Sequence, residues 1–452
     1  MIRIHPTLKE IAALFAAREK EICLVGGAVR DMLRGGTVKD WDLATDALPD
    51  EVAAIFREAR GRVIPTGIRH GTVTALYRKH SLEITTYRTE GDYSDGRRPD
   101  TVRPAAGIEE DLSRRDFTMN AIALRLPGGG KVDPFNGEAD IRAGIIRCVG
   151  KAAERFAEDG LRSLRAVRFA AQLGFELDKD TLAAIPRALS VSARVSRERV
   201  RDELDKILAS PLPSRALVLM EQTGLMELFL PELAACRGVE QKGFHRFDVL
   251  DHSLLAADYA ARKRYPPEVC MAALLHDIGK PLTCKTGADG IRTFYHHEAE
   301  SRRLARNILT RLRCPNVCID AVCHLVGEHM FHYTEDWTDA AVRRFIVRVG
   351  TAQLENLYRL RRADAYAMAG TEPAADFLLP LAGRVDRILS ENRALSLKDL
   401  AVSGKDLMAI GVRPGKVMGI ILHELLETVL DDPGQNTKEQ LLKIAENLQR
   451  RY

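Results

Sequence analysis

CLVGGAVRDMLRGGTVKDWDLATD, residues 23–46, is the stretch on which the fold turns. Its apolar opening reads as a strand that ends at Gly26 and Gly27, where a helical pattern begins at once and carries Arg30 and Asp31. Glycines at such a junction let a polyanion approach the backbone, and the helix N-terminus offers unpaired N–H groups to phosphate. Arg30, one turn in, is placed to add charge-assisted hydrogen bonds. Ten residues further on, Asp40 and Asp42 flank Trp41. In a strand, residues i and i+2 point to the same side, so the two carboxylates aim together and the tryptophan faces away. Hard divalent cations require such paired oxygens. A ligand-free glycine turn, or the polar face of a strand, would each look alike in isolation; the order GG-x-x-R then D-x-D is far less common than either part.

The bulk of the sequence bounds the rest. A chain of 452 residues has room for two to four domains with buried cores. Its 46% hydrophobic and 29% charged residues are ordinary for a globular protein. No apolar run is long enough to span a bilayer, and the first twenty residues carry acids within a helical pattern and lack a signal-peptide core. A cytoplasmic location is the expectation. The net charge of +4 neither requires nor excludes a nucleic-acid partner. Eight cysteines in this length form no disulfide framework, and Cys314, Cys318 and Cys323 lack paired zinc-ligand spacing, so they read as free thiols.

Along the chain, short β-type runs (EICLV, GTVTALY, SLEITTYR, AIALRL) alternate with helical stretches such as PDEVAAIFREA up to about residue 134. Beyond DPFNGEADIRAGIIRCVG the strand signals almost vanish, and Gly/Pro punctuation separates helical segments. The fold class is α+β, an α+β head followed by a long all-α body. Four segments are expected: a head over 1–145, a helical neck over 146–235, a body over 236–370 and a tail over 371–452.

Within the head, EDLSRRDFTMNA packs Arg114, Arg115, Asp116, Thr118 and Asn120 into seven residues. This is either a salt-bridged helix start or a site in which Arg115 meets a triphosphate while Asp116 meets the sugar or orients its neighbours. The polar, Gly- and Pro-containing segment TTYRTEGDYSDGRRPDTVRPAAG carries four arginines and reads as a mobile loop on the phosphate side. Glu83, on SLEITTYR, is a candidate third carboxylate.

VGGAVRDMLRG…KDWDLAT, TGIRHGTVT, YRTEGDYSDGRRPDTV and DLSRRDFTMNAIAL together resemble the head of the bacterial CCA-adding enzymes, tRNA nucleotidyltransferases related to poly(A) polymerase. The resemblance is dense and in order over residues 22–210 and weaker to the C-terminus. It implies a polymerase-β-type nucleotidyltransferase head in which Asp40 and Asp42 hold two Mg²⁺, with Gly26, Gly27, Arg30, Arg115 and Asp116 binding the nucleotide. The implied reaction adds the 3′-terminal CCA to the tRNA acceptor end from CTP and ATP.

ERFAEDGLRSLRAVRFAAQLGFE follows in the neck. On a helix Asp159 and Arg162 are i, i+3 neighbours, and Arg162, Arg165 and Arg168 form a basic stripe. A surface ion pair would explain that spacing. An acceptor-only carboxylate beside a guanidinium also matches the hydrogen-bonding edges of cytosine and adenine and rejects those of uracil and guanine. The resemblance assigns that base-selecting role to Asp159 and Arg162 of E-D-x-x-R, and turns Arg165 and Arg168 toward the nucleotide. Arg197 and Arg199, in VSRERVRDELDKIL, read as residues that stabilise the helix assembly.

In the body, His252, the pair His276–Asp277 within LLHDIGK, and Asp364 give an H…HD…D series in a helical context. Imidazole and carboxylate ligands share one divalent transition metal readily. The series resembles the HD phosphohydrolase superfamily, and His297 and His329 sit where many such domains carry further ligands. A degenerate scaffold is the alternative to a phosphohydrolase acting on 2′,3′-cyclic phosphates or phosphomonoesters. The tail stretch VSGKDLMAIGVRPGKVMGIILHELLETVL holds Gly404, Gly411, Gly415 and Gly419 with Lys405, Arg413 and Lys416 nearby, and reads as short helices broken by glycine that contact a sugar-phosphate backbone. Alternatives to CCA addition are the A-adding half of a split system, a poly(A) polymerase and, in a different class, an HD phosphohydrolase with a vestigial head. An intact D-x-D disfavours the last.

Overall fold

Ile22–Val25 (β1) is buried along its whole length, because four consecutive apolar residues have no solvent face to offer. In the computed structural model of the chain it lies inside a seven-stranded mixed sheet. In chain order the members are β1, Trp41–Thr45 (β2), Arg62–Gly67 (β3), Thr72–Tyr77 (β4) and His80–Thr86 (β5). A separate ribbon pairs Arg88–Glu90 (β6) with Val102–Pro104 (β7), and the sheet then takes in Ala123–Arg125 (β8) and Gly130–Val132 (β9). The spatial order is β3-β4-β5-β2-β1-β8-β9. The β2–β5 pairing is parallel and the other pairings in this sheet are antiparallel. A parallel pair needs a crossover, which the Pro49–Glu58 helix and the β3–β4 hairpin supply. Its register sets Asp42 opposite Glu83.

The structure describes every residue except 1–3, 37, 39, 69–70, 92–101, 242–245, 289–290, 373–375, 392–394 and 452. Of the loop expected beside a phosphate site, residues 92–101 with Arg97 and Arg98 lie outside the described residues, as do Arg69 and His70 of TGIRHGTVT, whereas its two ends form the β6–β7 ribbon.

The chain divides into two compact units, residues 1–234 with Arg311–Arg313, and the remainder of Ala235–Tyr452. In the first, one sheet face packs Cys23, Val25, Ala44 and Tyr87 against Ile108 and Leu112. The Pro49–Glu58 helix packs on β3 and β4, and its Phe56 meets Phe15 edge-on at 6.1 Å. After the head come helices Ala152–Glu158, Leu161–Leu173, Arg197–Leu208 and Pro213–Thr223, the last three packed together.

In the second unit the helix Val249–Arg262 lies against Leu354–Ala369, and Pro267–Leu275 against Asn316–Glu328. The expected all-α character needs a correction in both units. Glu176–Leu177 (β11) pairs in parallel with Ile145–Ile146 (β10), and Lys285–Thr286 (β12) pairs with Arg292–Thr293 (β13). Two-residue strands are too short to leave an alternating pattern in the sequence.

The C-terminal helices close around Leu407, Ile421, Leu425, Val429 and Leu441. Gly411 and Gly415 do interrupt helices, with φ of 94° and 136°, but Gly419 lies inside the helix Lys416–Asp431. That helix ends with carbonyls that have no partner within it. Arg343, buried on the neighbouring Asp339–Val349 helix, donates from Nε to the carbonyl of Leu430 at 2.6 Å and from Nη2 to that of Asp431 at 3.1 Å. Arg343→Ala is expected to destabilise this unit by about 2–3 kcal/mol, the cost of leaving such carbonyls buried and unpaired. Thermal unfolding of the full chain reads it as a lower Tm.

Candidate functional site

The glycine turn after β1, the parallel strands β2 and β5 and the neck helices enclose a cavity of about 750 Å³. Among the described residues eight arginines and four acids line it, so that wall is net positive, as a polyanion requires. Gly26 adopts φ +69°, a conformation that side-chain-bearing residues avoid. A Cβ there would stand 3.1 Å from Arg115 Nη1 and 3.5 Å from Asp42 Oδ2. The turn therefore gives the space over the carboxylates to a ligand.

Asp42 projects from β2 beside Glu83 of β5. Burial raises its carboxyl above the usual range and the Glu83 charge adds to the effect, with Arg115 opposing both. Asp40 adds further repulsion, but the strand begins at Trp41, so Asp40 occupies an exposed bend and is absent from the described cavity lining. Trp41 faces away as its strand position requires, and stacks with His80 at 4.5 Å. Crowded carboxylates with oxygen as their only donor atom fit Mg²⁺, which relieves their repulsion.

Arg30 is buried, with Nη1 donating to Asn120 Oδ1 at 2.9 Å. Asn120 in turn donates to Asp116 Oδ1 at 3.1 Å, and Arg165 Nε to Asp116 Oδ2 at 2.8 Å. Burial works against the Asp116 carboxylate, yet Arg165 and Asn120 hold it down at about 2. Asp116 thus orients its neighbours. Arg115 is steered by Asp111, which also takes Arg114, at 3.1 and 2.7 Å. Asp111 was not singled out from the sequence; its signal is an acid four residues before Arg115 and three before Arg114, completely buried.

In the neck the expected helical pair is corrected. The first helix ends at Glu158 and the next starts at Leu161, so Asp159 lies in the break with extended backbone. Asp159 does not pair with Arg162. Arg162 donates to Glu158 and to the carbonyls of Arg155 and Arg114, at 2.9 and 3.0 Å for the carbonyls. Asp159 instead accepts both terminal nitrogens of Arg199. Arg168 ion-pairs with the buried Glu203 at 2.6 Å and lies 3.9 Å from the centre of the Phe169 ring. Gly26, Gly27, Arg30, Asp42, Glu83, Arg115, Asp116, Asp159, Arg162, Arg165 and Arg168 all line the one cavity. Arg199 lines it too, while its ion pair with Asp159 ties the Arg197–Leu208 helix to the break between the two preceding helices, and Arg197 lies 5.7 Å from the Phe229 ring. Glu203, like Asp111, was invisible as a lone acid in a charged helix.

A second constellation sits in the C-terminal unit. His252, His276, Asp277, Asp364, His297 and His329 are all buried within one cluster. His252 Nε2 is 3.1 Å from Asp364 Oδ1 and 3.4 Å from Asp277 Oδ2, and His276 Nε2 is 3.3 Å from the same Asp277 oxygen. The other Asp277 oxygen faces His297 Nε2 at 3.2 Å and His329 Nε2 at 3.7 Å. Nδ1 of His276, His297 and His329 each sits 2.7–2.9 Å from a backbone carbonyl, which fixes the tautomer and leaves Nε2 as the ligating atom. Among the described residues, the buried His297 Nε2 and Asp277 Oδ1 form no well-aligned hydrogen bond despite their 3.2 Å approach.

Nitrogen and carboxylate donors converging in this way fit a divalent transition metal, and Asp277 offers an oxygen to each of two adjoining half-sites. Burial would lower His276, but Asp277 and Asp364 override it and raise the imidazole to about 10. A metal held by the cluster would take the place of that proton. Gly279 makes the cluster possible: a Cβ there would lie 2.5 Å from the Ser301 nitrogen and 2.6 Å from the His297 carbonyl.

The poly A polymerase head domain model matches residues 22–147, "Probable RNA and SrmB- binding site of polymerase A" matches 174–237, and tRNA nucleotidyltransferase domain 2 matches 292–445. A CCA-adding enzyme of Geobacillus thermodenitrificans is 50% identical over 214 residues, 47% of this chain and 52% of that protein. The chain thus spans about half the length of that relative in the match. An A-adding tRNA nucleotidyltransferase of Deinococcus radiodurans is 35% identical over 424 residues, 89% of this chain and 90% of the relative. Among solved structures, the Bacillus stearothermophilus CCA-adding enzyme in complex with CTP superposes with a TM-score of 0.74 at 31% identity, covering 99% of both chains. The α+β class, a nucleotidyltransferase head followed by a helical body, holds.

Proposed function

We propose, from the premise that this chain belongs to the family of CCA-adding enzymes and tRNA nucleotidyltransferases, that it adds the 3′-terminal CCA to tRNA from CTP and ATP without a nucleic-acid template. The observation that supports this most is the single cavity shared by Asp42, Arg30, Arg115, Asp159 and Arg162. We assign the head to residues 1–145, the base-selecting neck to 146–235, the body with its His/Asp cluster to 236–370 and a tRNA-contacting tail to 371–452. Among the described residues no helix is long and apolar enough to cross a membrane, and the proposed site of action is the cytoplasm.

In this reading the triphosphate lies over Gly26 and Gly27 with Arg30 and Arg115 on its oxygens, and the tRNA 3′-hydroxyl attacks the α-phosphate in line as pyrophosphate departs. Asp42, with Asp40 on the adjoining bend and Glu83 beside it, would hold two Mg²⁺, which would supply Lewis-acid activation of the hydroxyl and charge neutralisation of the pyrophosphate. Asp159 accepts from the exocyclic amine of cytosine or adenine while Arg162 donates to the ring edge, and uracil and guanine present a carbonyl where the amine should be. Arg165 holds Asp116, and Arg168 lines the same wall.

The test of base choice is Asp159→Ala with Arg162→Ala. Incorporation of each of the four nucleotides into a tRNA lacking its 3′ end should lose its C/A preference by about a hundredfold or more, with tRNA affinity changed far less. Undiminished selectivity refutes protein-directed base choice.

The buried histidine cluster supports a second activity. Loaded with a divalent transition metal by His252, His276, Asp277, Asp364, His297 and His329, it would gain Lewis-acid polarisation of a phosphoryl oxygen. We assign it hydrolysis of 2′,3′-cyclic phosphates or phosphomonoesters, which clears RNA ends that block nucleotide addition.

A further inference from the structure

Base choice falls to Asp159 in the reading above, and the position of its carboxylate is set from outside its own segment. The residue lies between two helices, at φ −140° and ψ 109°; its carbonyl accepts the Arg162 N–H at 3.0 Å, but that bond leaves the side chain free to turn. Three donors fix the carboxylate. Arg199 Nη1 reaches Oδ1 at 3.3 Å, Arg199 Nη2 reaches Oδ2 at 2.7 Å, and the Leu161 N–H reaches Oδ1 at 3.0 Å. A carboxylate offers about four acceptor positions, two on each oxygen. Both positions on Oδ1 are therefore taken, and one of those on Oδ2. A single acceptor remains, on Oδ2, and an exocyclic amine needs to give one N–H.

Arg162 does not orient Asp159, because its guanidinium is engaged with Glu158 and with the carbonyls of Arg155 and Arg114. Arg199 also lines the nucleotide cavity, and 29% of its side chain is exposed. A two-nitrogen guanidinium fork fixes both the place and the plane of a carboxylate, which an ammonium cannot do.

We propose that Arg199 is a specificity-determining positioning residue: it clamps Asp159 so that one acceptor on Oδ2 meets the amine edge of cytosine or adenine. This rests on the base-selecting reading of Asp159. Loss of the clamp frees the carboxylate to rotate, and the penalty falls on discrimination between bases rather than on phosphoryl transfer at Asp42.

The test compares wild type, Arg199→Ala, Arg199→Lys, Asp159→Ala and the double variant Asp159→Ala with Arg199→Ala as full-length chains. The readout is kcat/KM for CTP, ATP, UTP and GTP on tRNA primers. In Arg199→Ala the preference for CTP and ATP over UTP and GTP should fall by about tenfold or more. Arg199→Lys should recover part of it, and the double variant should be no less selective than Asp159→Ala alone. A uniform drop in rate with the preference intact, or an additive loss in the double variant, overturns the proposal. Should Arg199→Ala fail to fold, Arg199→Lys decides: selectivity equal to wild type overturns the clamp and reduced selectivity supports it. A wild-type chain with no C/A preference defeats the base-selecting reading as well, whereas a selective wild type with an equally selective Arg199→Ala defeats only this inference.

Discussion

Asp42→Ala is expected to abolish nucleotide addition, lowering kcat by about a thousandfold or more. Asp42 stands opposite Glu83 in a net-positive cavity, and burial and Glu83 together raise its carboxyl, so it is the acid whose charge the site strains to keep. Removing it takes away the donor around which Mg²⁺ would be held, while Arg30 and Arg115 can still bind the triphosphate. KM for CTP and ATP should therefore change far less than kcat. Single-turnover extension of a labelled tRNA measures both. The phosphohydrolysis proposed for the other cluster should persist, since no cluster residue belongs to the N-terminal unit. Loss of both activities from this one substitution would contradict two independent sites.

Asp277→Asn gives the reciprocal result. Asp277 supplies an oxygen to each half of the histidine cluster and accepts from Lys280 Nζ at 2.6 Å. Burial opposes its charge, and His276 and Lys280 still hold it well below the usual carboxylate range. The amide keeps the shape but removes the negative charge that both half-sites share. Bound transition metal, measured on the purified protein, should weaken by about a hundredfold. Hydrolysis of 2′,3′-cyclic phosphate should disappear with it, and CCA addition should not change. Asp277→Ala would also leave buried cations unpaired and cost about 3–5 kcal/mol, so the asparagine variant separates metal loss from unfolding.

The residues that carry a local signature were legible in the sequence. Gly26, Asp42 and the apolar β1 announce themselves through turn chemistry and strand alternation, and His276–Asp277 through spacing within a helical segment. Partnerships across the chain were not. Asp159 and Arg162 have helical spacing, but a helix break between Glu158 and Leu161 separates them and hands Asp159 to Arg199, forty residues away. Asp111 and Glu203 look like ordinary charges in amphipathic helices until the fold buries them beneath Arg115 and Arg168. Asp40 shows the limit of strand alternation, which holds only where the strand exists, and β2 begins one residue later. The two-residue pairings β10–β11 and β12–β13 are fixed by tertiary contact, with no pattern of their own.

The measurement that bears most directly on the central claim uses three tRNA transcripts, ending at the discriminator base, at C and at CC. Each is incubated with the full chain, Mg²⁺ and CTP, ATP or both, and the products are resolved at single-nucleotide length. The account predicts that with both nucleotides every primer stops at a complete CCA, and that CTP alone stops at CC. Extension of the CC-ended primer alone, by one A, would contradict it and make the chain an A-adding enzyme, and runaway adenylate tails would contradict it in favour of a poly(A) polymerase.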